Sequence, residues 1–187
     1  VHPGFAKGKM ESALRIATDM VAALPKDRLS PETTRAKEGF VHPNRISGTV
    51  EEAVIEFIIR DHDTALLESH QQEVVDIVER IIANYPKSTY TVDVQEQYRN
   101  MKEVLDQHPE IMEIGIEAIR RAGMEPERRS IRGGTDGSRL SLMSLPCPIV
   151  FAGGLAFHGK QQWGCRQAME PAVKTILHIA PLWEERA

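Results

Sequence analysis

A glycine-rich segment at residues 130–160 constrains the fold of this chain more than any other stretch. Three glycines within residues 131–137 let the backbone turn sharply and expose main-chain N–H groups that a side chain would cover. Thr135 or Asp136 then stands where a helix N-cap belongs, ahead of apolar residues at helical spacing. The segment therefore predicts a tight loop that leads into a short helix.

The second half of this segment predicts a buried strand followed by a histidine. Residues 149–152 are a short apolar run with two β-branched side chains, and Gly153 and Gly154 end the run. His158 follows a few residues later, in the kind of loop that presents a metal ligand or catalytic base in α/β proteins. From spacing alone a solvated loop histidine is the commoner outcome, so the pattern leaves both interpretations open.

The composition favours a protein whose partner is a small molecule or another protein. The 187 residues suit one domain or two small ones, and the net charge of -4 comes without any basic run that would favour nucleic acid or an anionic membrane. No apolar run reaches the length of a transmembrane helix. The only cysteines, Cys147 and Cys165, disfavour a disulfide scaffold and favour a reducing cytoplasm.

The first half of the chain predicts helices packed on a small sheet. The predicted elements are a helix over 9–24, strands over 39–41 and 48–61 with a turn at Pro43 and Asn44 between them, a helix from Asp63 to Tyr85, and a strand over 89–98. This order is a split βαββαβ sandwich without its first strand, since the first helix needs a preceding strand for the usual right-handed crossover.

The second half predicts two more helices around the glycine-rich segment. A polar hinge over 99–108 leads into a helix that begins at Pro109 and ends before Gly123. The last helix takes its apolar side from Met169, Val173, Ile176, Leu177 and Ala180. We expect Pro171 to fit that helix only within its first turn.

Five segments in order carry a resemblance to a known family: VHPGFAKGKM, SPETTRAKEGFVHP, SGTVEEAVIEFIIRDHD, the Asn-Met pair at 100 and 101, and IRGGTDGSRLSLMSLPCPIVFAGGLAFHGK. They resemble the C-terminal half of the tripeptide aminopeptidases of the peptidase T type, which are co-catalytic dizinc exopeptidases. The resemblance implies an α/β (α+β) fold. Residues 1–106 would form a ferredoxin-like βαββαβ lid or dimerisation domain without its first strand, and residues 107–187 the C-terminal part of an α/β zinc-exopeptidase catalytic domain.

The resemblance also implies roles for five residues. His158 matches the late histidine that ligates zinc, and His2 matches the lid histidine that donates a hydrogen bond to the developing oxyanion. In dimeric relatives that lid histidine reaches into the partner's site. Arg60 matches the arginine that holds a peptide's C-terminal carboxylate, Asn100 would add a second hydrogen bond, and Arg132 would face the substrate.

The implied function is part of a zinc-dependent aminopeptidase that removes the N-terminal residue from tripeptides, with a homodimer formed through the lid domain and no nucleic-acid or membrane partner. Two zinc ions would share a bridging water and polarise the scissile carbonyl. The remaining zinc ligands and the general base of the family have no match here, so we expect this chain alone to be inactive and to bind no dinuclear zinc. A related exopeptidase such as a dipeptidase, and a non-catalytic dimerisation or binding module, remain alternatives.

Overall fold

The computed structural model describes residues 2–96 and 100–186, which form helices and two small antiparallel sheets. The helices are α1 (Ala13–Ala22), α2 (Thr64–Ile82), α3 (Lys102–Leu105), α4 (Pro109–Arg121), α5 (Asp136–Leu142) and α6 (Arg166–Glu184), with a 3₁₀ turn at Pro3–Phe5. The strands are β1 (Phe40–Gly48), β2 (Ala53–Arg60), β3 (Gly154–Leu155) and β4 (Trp163–Gly164). This mixture of helices and strands confirms the predicted α/β (α+β) class.

The chain divides into two compact units. The first comprises Val1–Glu96 together with Ser130–Gly133, and the second comprises Gln97–Arg129 together with Gly134–Ala187. The glycine-rich segment therefore begins in the first unit and continues in the second.

Two apolar clusters form the core of the first unit, where α1 and α2 pack against the β1–β2 hairpin. The first cluster contains Ile16, Met20 and Val78, and the second contains Leu29, Val41 and Val74. Burying a side chain of this size contributes about 1.5–3 kcal/mol, so these few residues supply much of the free energy that holds the helices on the hairpin.

The turn predicted at Pro43 and Asn44 is wrong, because both residues lie within β1. This strand pairs antiparallel with β2, and the register shifts between Pro43 and Arg45, which leaves Asn44 in a bulge. A proline has no N–H to give to the ladder and is tolerated at such a bulge. The chain reverses instead at residues 49–52, where the N–H of Thr49 donates to the carbonyl of Glu52 at 2.7 Å.

The strand predicted over 89–98 is not formed by residues 89–96, and the last two residues of that range lie outside the described part of the chain. The alternate side chains that would face the core in such a strand, Tyr90, Val92 and Val94, are 41%, 47% and 59% exposed. A strand forms only where a neighbour pairs with its N–H and C=O groups. Within residues 2–96 and 100–186, no strand pairs with this run.

Two predicted helix ends are confirmed. The carboxylate of Asp63 caps α2, since its Oδ1 accepts the N–H groups of Ala65 and Leu66 at 2.8 and 3.1 Å. Gly123 follows α4 with a φ of +85°, the left-handed conformation in which helices commonly end. The predicted hinge over 99–108 contains the one-turn helix α3.

The second unit has its core between α4 and α6, where Ile114, Ala118 and Leu182 are buried together. The expectation that Pro171 requires the first turn of its helix is wrong, because α6 begins at Arg166 and runs on through the proline. One missing N–H costs a helix a single bond, and tertiary packing supplies most of the stability of a helix in a protein.

The apolar side predicted for α6 lies at the surface. Met169, Val173, Ile176 and Leu177 are between 52% and 67% exposed. The buried side of α6 carries Ala172, Thr175 and Leu182 instead. None of the helices among the described residues combines the length and the apolar character needed to cross a membrane.

Candidate functional site

The five residues predicted for the site are divided between the two units. His2, Arg60 and Arg132 belong to the first unit, whereas Asn100 and His158 belong to the second. Each is described within its own unit.

His2 precedes the 3₁₀ turn and is exposed. Its Nδ1 accepts the N–H of Gly4 at 3.0 Å, and its ring centre lies 5.7 Å from that of Phe5. A neutral imidazole that accepts through Nδ1 carries its proton on Nε2. The local turn therefore leaves His2 with an Nε2–H that can donate a hydrogen bond.

Arg60 is the last residue of β2 and is half-buried. It faces Phe40 across the hairpin, and its Nη1 lies 3.4 Å from the carbonyl oxygen of Ile59. The antiparallel pairing with Phe40 holds one side of the Arg60 backbone at this end of the sheet.

Arg132 is held by the loop that precedes β1. Its Nη1 donates to the carbonyl of Thr34 at 2.8 Å, and its Nη2 donates to the Thr34 hydroxyl at 2.6 Å and to the carbonyl of Glu38 at 2.9 Å. The guanidinium carbon lies 5.0 Å from the centre of the Phe40 ring, a cation–π distance. Its Nε is buried and has no hydrogen-bond partner among the described residues.

The structure thus brings two of the predicted arginines to one end of the hairpin. Facing residues of an antiparallel pair lie on the same side of the sheet, so Arg60 and Phe40 share a face, and Arg132 lies over the Phe40 ring. Arginines are the side chains best suited to bind a carboxylate through paired N–H groups. This end of the first unit is therefore a candidate site for an anionic group.

Sequence reasoning missed a buried pair beside Arg60. The Oδ2 of Asp61, the residue directly after β2, lies 2.9 Å from Nε2 of His70 in α2. The only sequence signal is an acidic residue next to the predicted arginine and a histidine nine positions later, which by itself indicates nothing about burial.

The glycine-rich loop reaches α5 through Thr135, whose hydroxyl accepts the N–H of Ser138 at 3.3 Å. Of the two N-caps that the sequence left open, the structure selects Thr135, and Asp136 is the first helical residue. A Cβ on Gly137 would lie 2.6 Å from the carbonyl oxygen of Cys147, so only glycine fits where these two segments meet.

The strand predicted over 149–152 is wrong. Ile149 and Phe151 are exposed, and the only ladder here is the two-residue pairing of β3 with β4 in the described structure. A buried strand needs neighbours on both sides, and none is present beside this run among the described residues.

His158 lies in the loop between β3 and β4 and is exposed. Its N–H donates to Oε1 of Gln162 at 2.7 Å, and its φ of +63° is left-handed. Ala156 in the same loop also has a positive φ, +54°. A non-glycine residue held in this region costs on the order of 1–3 kcal/mol, and such residues cluster at functional sites.

Asn100 lies just before α3 and is exposed. Its Oδ1 accepts the N–H of Lys102 at 3.0 Å, which is an Asx-turn. The structure therefore gives Asn100 a local structural contact.

The described residues do not by themselves fit a dinuclear zinc centre. Within residues 2–96 and 100–186, no three histidine, cysteine, aspartate or glutamate side chains gather closely enough to hold a metal ion. A zinc site needs three or four protein ligands, and His158 would supply one.

Residues 1–86 match the peptidase dimerisation domain family. The chain is 43% identical over 187 residues to Peptidase T of Bacillus licheniformis, covering 100% of this chain and 45% of that protein. It is 42% identical over 186 residues to Peptidase T of Caldanaerobacter subterraneus, with 100% and 45% covered. Peptidase T of Escherichia coli K12 is 41% identical over 187 residues, with 100% and 46% covered. The chain therefore spans about half the length of the curated relatives it matches.

A solved structure has a similar fold. The tripeptidase from Staphylococcus aureus superposes with a TM-score of 0.60 at 16% identity, over 96% of this chain and 47% of that one. The comparisons confirm the resemblance of the whole chain to peptidase T, and the match of residues 1–86 to the peptidase dimerisation domain agrees with it.

Proposed function

We propose that this chain forms part of a zinc-dependent aminopeptidase that removes the N-terminal residue from tripeptides. The identity of 43% to Peptidase T over the complete chain carries the proposal. In this enzyme residues 1–106 are the lid and residues 107–187 are part of the catalytic domain. An exposed apolar stripe on α6 supports a place for this chain within a larger assembly, because apolar surfaces of this kind usually pack against further protein. The stripe consists of Met169, Val173, Ile176 and Leu177.

His158 is the residue that we propose as a zinc ligand. Its exposed side chain and left-handed backbone in the β3–β4 loop support this role. Zinc would supply Lewis-acid activation of the scissile carbonyl and of a bound water. Its other ligands would come from outside the described residues.

His2 donates a hydrogen bond to the oxyanion that develops on the scissile carbonyl. The bond that Gly4 donates to Nδ1 supports this role, because it leaves the ring proton on Nε2. A donor aimed at charge that appears only in the transition state raises the catalytic rate without tightening substrate binding in the ground state.

Arg60 binds the C-terminal carboxylate of the peptide, with Asn100 and Arg132 as further substrate contacts. The gathering of Arg60 and Arg132 around Phe40 supports a shared anionic ligand at this end of the hairpin. Three of the five N–H groups of Arg132 already donate to Thr34 and Glu38, and its Nε–H has no partner among the described residues.

The active form is a homodimer joined through the lid domain. The match of residues 1–86 to a dimerisation domain supports this arrangement. Within the described residues, β1 and β2 pair only with each other, and an open strand edge is a ready surface for pairing with a second copy.

The cytoplasm is the proposed compartment. Both Cys147 and Cys165 are free thiols in the structure, which suits a reducing environment.

Peptide hydrolysis by the active enzyme that contains this chain tests the proposal. We expect tripeptides to be cleaved much faster than dipeptides, with metal-dependent activity. Faster cleavage of dipeptides would favour the dipeptidase alternative. The lack of a metal-ligand cluster in the described residues favours a second candidate, a dimerisation module without catalysis. Metal analysis of this chain after dialysis is expected to find no dinuclear zinc, and two tightly held zinc ions per chain would contradict that expectation.

A further inference from the structure

A buried, hydrogen-bonded pair of side chains, Asp61 and His70, begins at the residue that follows the proposed carboxylate-binding arginine. The side chain of Asp61 is only 4% exposed and that of His70 only 14%, with 2.9 Å between Oδ2 and Nε2. The other carboxylate oxygen of Asp61 accepts the N–H of Asp63 at 2.8 Å. Burying a carboxylate is costly unless its oxygens are hydrogen-bonded, and both oxygens of Asp61 have a partner.

The backbone of Gly39 packs closely against this pair. A Cβ on Gly39 would collide with the Asp61 carboxylate and would lie 2.7 Å from Nε2 of His70 and 2.8 Å from the carbonyl oxygen of Arg60. The absence of a side chain at Gly39 therefore allows the pair and the end of β2 to approach the start of β1 this closely.

We propose that Asp61 and His70 are a positioning pair that fixes the backbone of Arg60 for substrate binding. This inference rests on the proposed role of Arg60. On one side Arg60 is held by its pairing with Phe40, and on the other Asp61 ties the next residue to α2. A guanidinium that binds the far end of a peptide needs a backbone held in a fixed position. A displacement of about 1 Å in such a group can greatly reduce the catalytic rate.

A salt bridge between Arg28 and Glu73 of α2 provides a matched control. Glu73 accepts two hydrogen bonds from Arg28, with Nη1 to Oε2 at 3.2 Å, and these bonds tie α2 to the loop before β1. This pair is more exposed, at 59% and 31% of the side-chain surface, and it ends on the loop before β1 and not on β2. Loss of the control pair should loosen α2 without releasing Arg60.

The first measurement uses this chain alone and reads backbone order by ¹⁵N relaxation. In the His70→Leu variant, the order parameters of Arg60 and Asp61 should fall from about 0.85 towards about 0.6, the range of flexible backbone. In Glu73→Gln they should stay near the wild-type values. His70→Gln retains an N–H donor and should restore most of the order. Asp61→Asn replaces His70→Leu if that variant does not fold.

The second measurement uses the active enzyme and compares free tripeptides with their C-terminal amides. His70→Leu should raise KM for the free peptide about tenfold and for the amide less than about twofold, with kcat nearly unchanged. Glu73→Gln should leave the ratio of the two KM values, free peptide to amide, at its wild-type value. A merely structural role of the pair would change both substrates equally.

The outcomes separate this inference from the proposed function on which it rests. Unchanged order at Arg60 in His70→Leu overturns the inference. An equal KM change on both substrates also overturns it, provided that Arg60→Ala weakens cleavage of the free peptide more than cleavage of the amide. If Arg60→Ala does not discriminate, carboxylate binding by Arg60 fails, and the order parameters alone then decide whether the pair positions Arg60.

Discussion

Phe40 faces Arg60 across the β1–β2 hairpin, and this pairing places Arg60 beside the ring on which Arg132 lies. Arg132 is 98 positions away from Thr34 and bonds to it, and Ser130–Gly133 lies in the first unit. The Arg132 side chain therefore holds the start of the glycine-rich segment against the loop before β1 and the Phe40 ring.

Replacing Arg132 with methionine should destabilise the first unit. The variant loses three hydrogen bonds and leaves the carbonyls of Thr34 and Glu38 without that donor. We expect the free energy of unfolding to fall by about 1–3 kcal/mol, measured by urea titration. Arg132→Lys should recover only part of this loss, because a lysine lacks the planar fork that reaches both carbonyls. Equal stability of all three proteins would show that the bonds contribute nothing in solution.

Helices were predicted well because their signals are local. Asp63 caps α2 and Gly123 ends α4 as their positions in the sequence indicate, since capping and termination depend on residues within one turn. The strands over 89–98 and 149–152 could not be predicted in the same way. An apolar alternation shows which face could be buried, but a strand also needs a partner that is distant in sequence.

The motifs in the sequence predicted which residues belong to the candidate site, but not how these residues are arranged in space. The motifs named Arg60 and Arg132, but nothing in the sequence showed that both lie at Phe40 or that Thr34 and Glu38 bind Arg132. The Asp61–His70 pair depends on the burial of two side chains on different elements, which only the packed structure reveals. The apolar stripe of α6 was found correctly as a pattern, yet its exposure could not be predicted from periodicity alone.

The stability of the second unit should depend on pH through Glu185. Both carboxylate oxygens of Glu185 accept bonds from Arg121, at 2.9 and 2.8 Å, and these bonds join the end of α4 to the end of α6. The hydrogen bonds from Arg121 lower the pKa of Glu185. Because the folded state keeps this carboxylate ionised to lower pH than the unfolded chain does, its contribution is present near neutral pH and is lost on acidification.

Thermal unfolding of Glu185→Gln measures that contribution. The variant should have a lower Tm than the wild type at pH 7, and the difference should shrink as the pH falls through about 4, where an ordinary glutamate becomes protonated. The matched control is Glu184→Gln, which removes an adjacent exposed glutamate and should have a Tm near that of the wild type at pH 7. A Tm difference that stays constant with pH would show that packing, and not charge, causes the effect.

Arg60→Ala should weaken cleavage of free tripeptides far more than cleavage of their C-terminal amides. Losing a charge-assisted pair costs on the order of 2–5 kcal/mol when the partner charge stays buried, and the amide carries no such charge. Steady-state kcat/KM for both substrates in the active enzyme measures the difference. An equal loss on both would show that Arg60 does not bind the carboxylate.

The last prediction concerns His2 and the zinc ligand His158 in the proposed dimer. His2→Ala should lower kcat with little loss of bound zinc, as expected for a group that contacts only the developing oxyanion. His158→Ala should lose both activity and zinc. If His2 serves the partner's site, a heterodimer of the two variants has one site with both histidines and one site with neither, so mixing two nearly inactive proteins should restore activity. Subunit exchange is verified independently by mass spectrometry of the mixture, and exchange without recovery would mean that His2 does not act across the dimer.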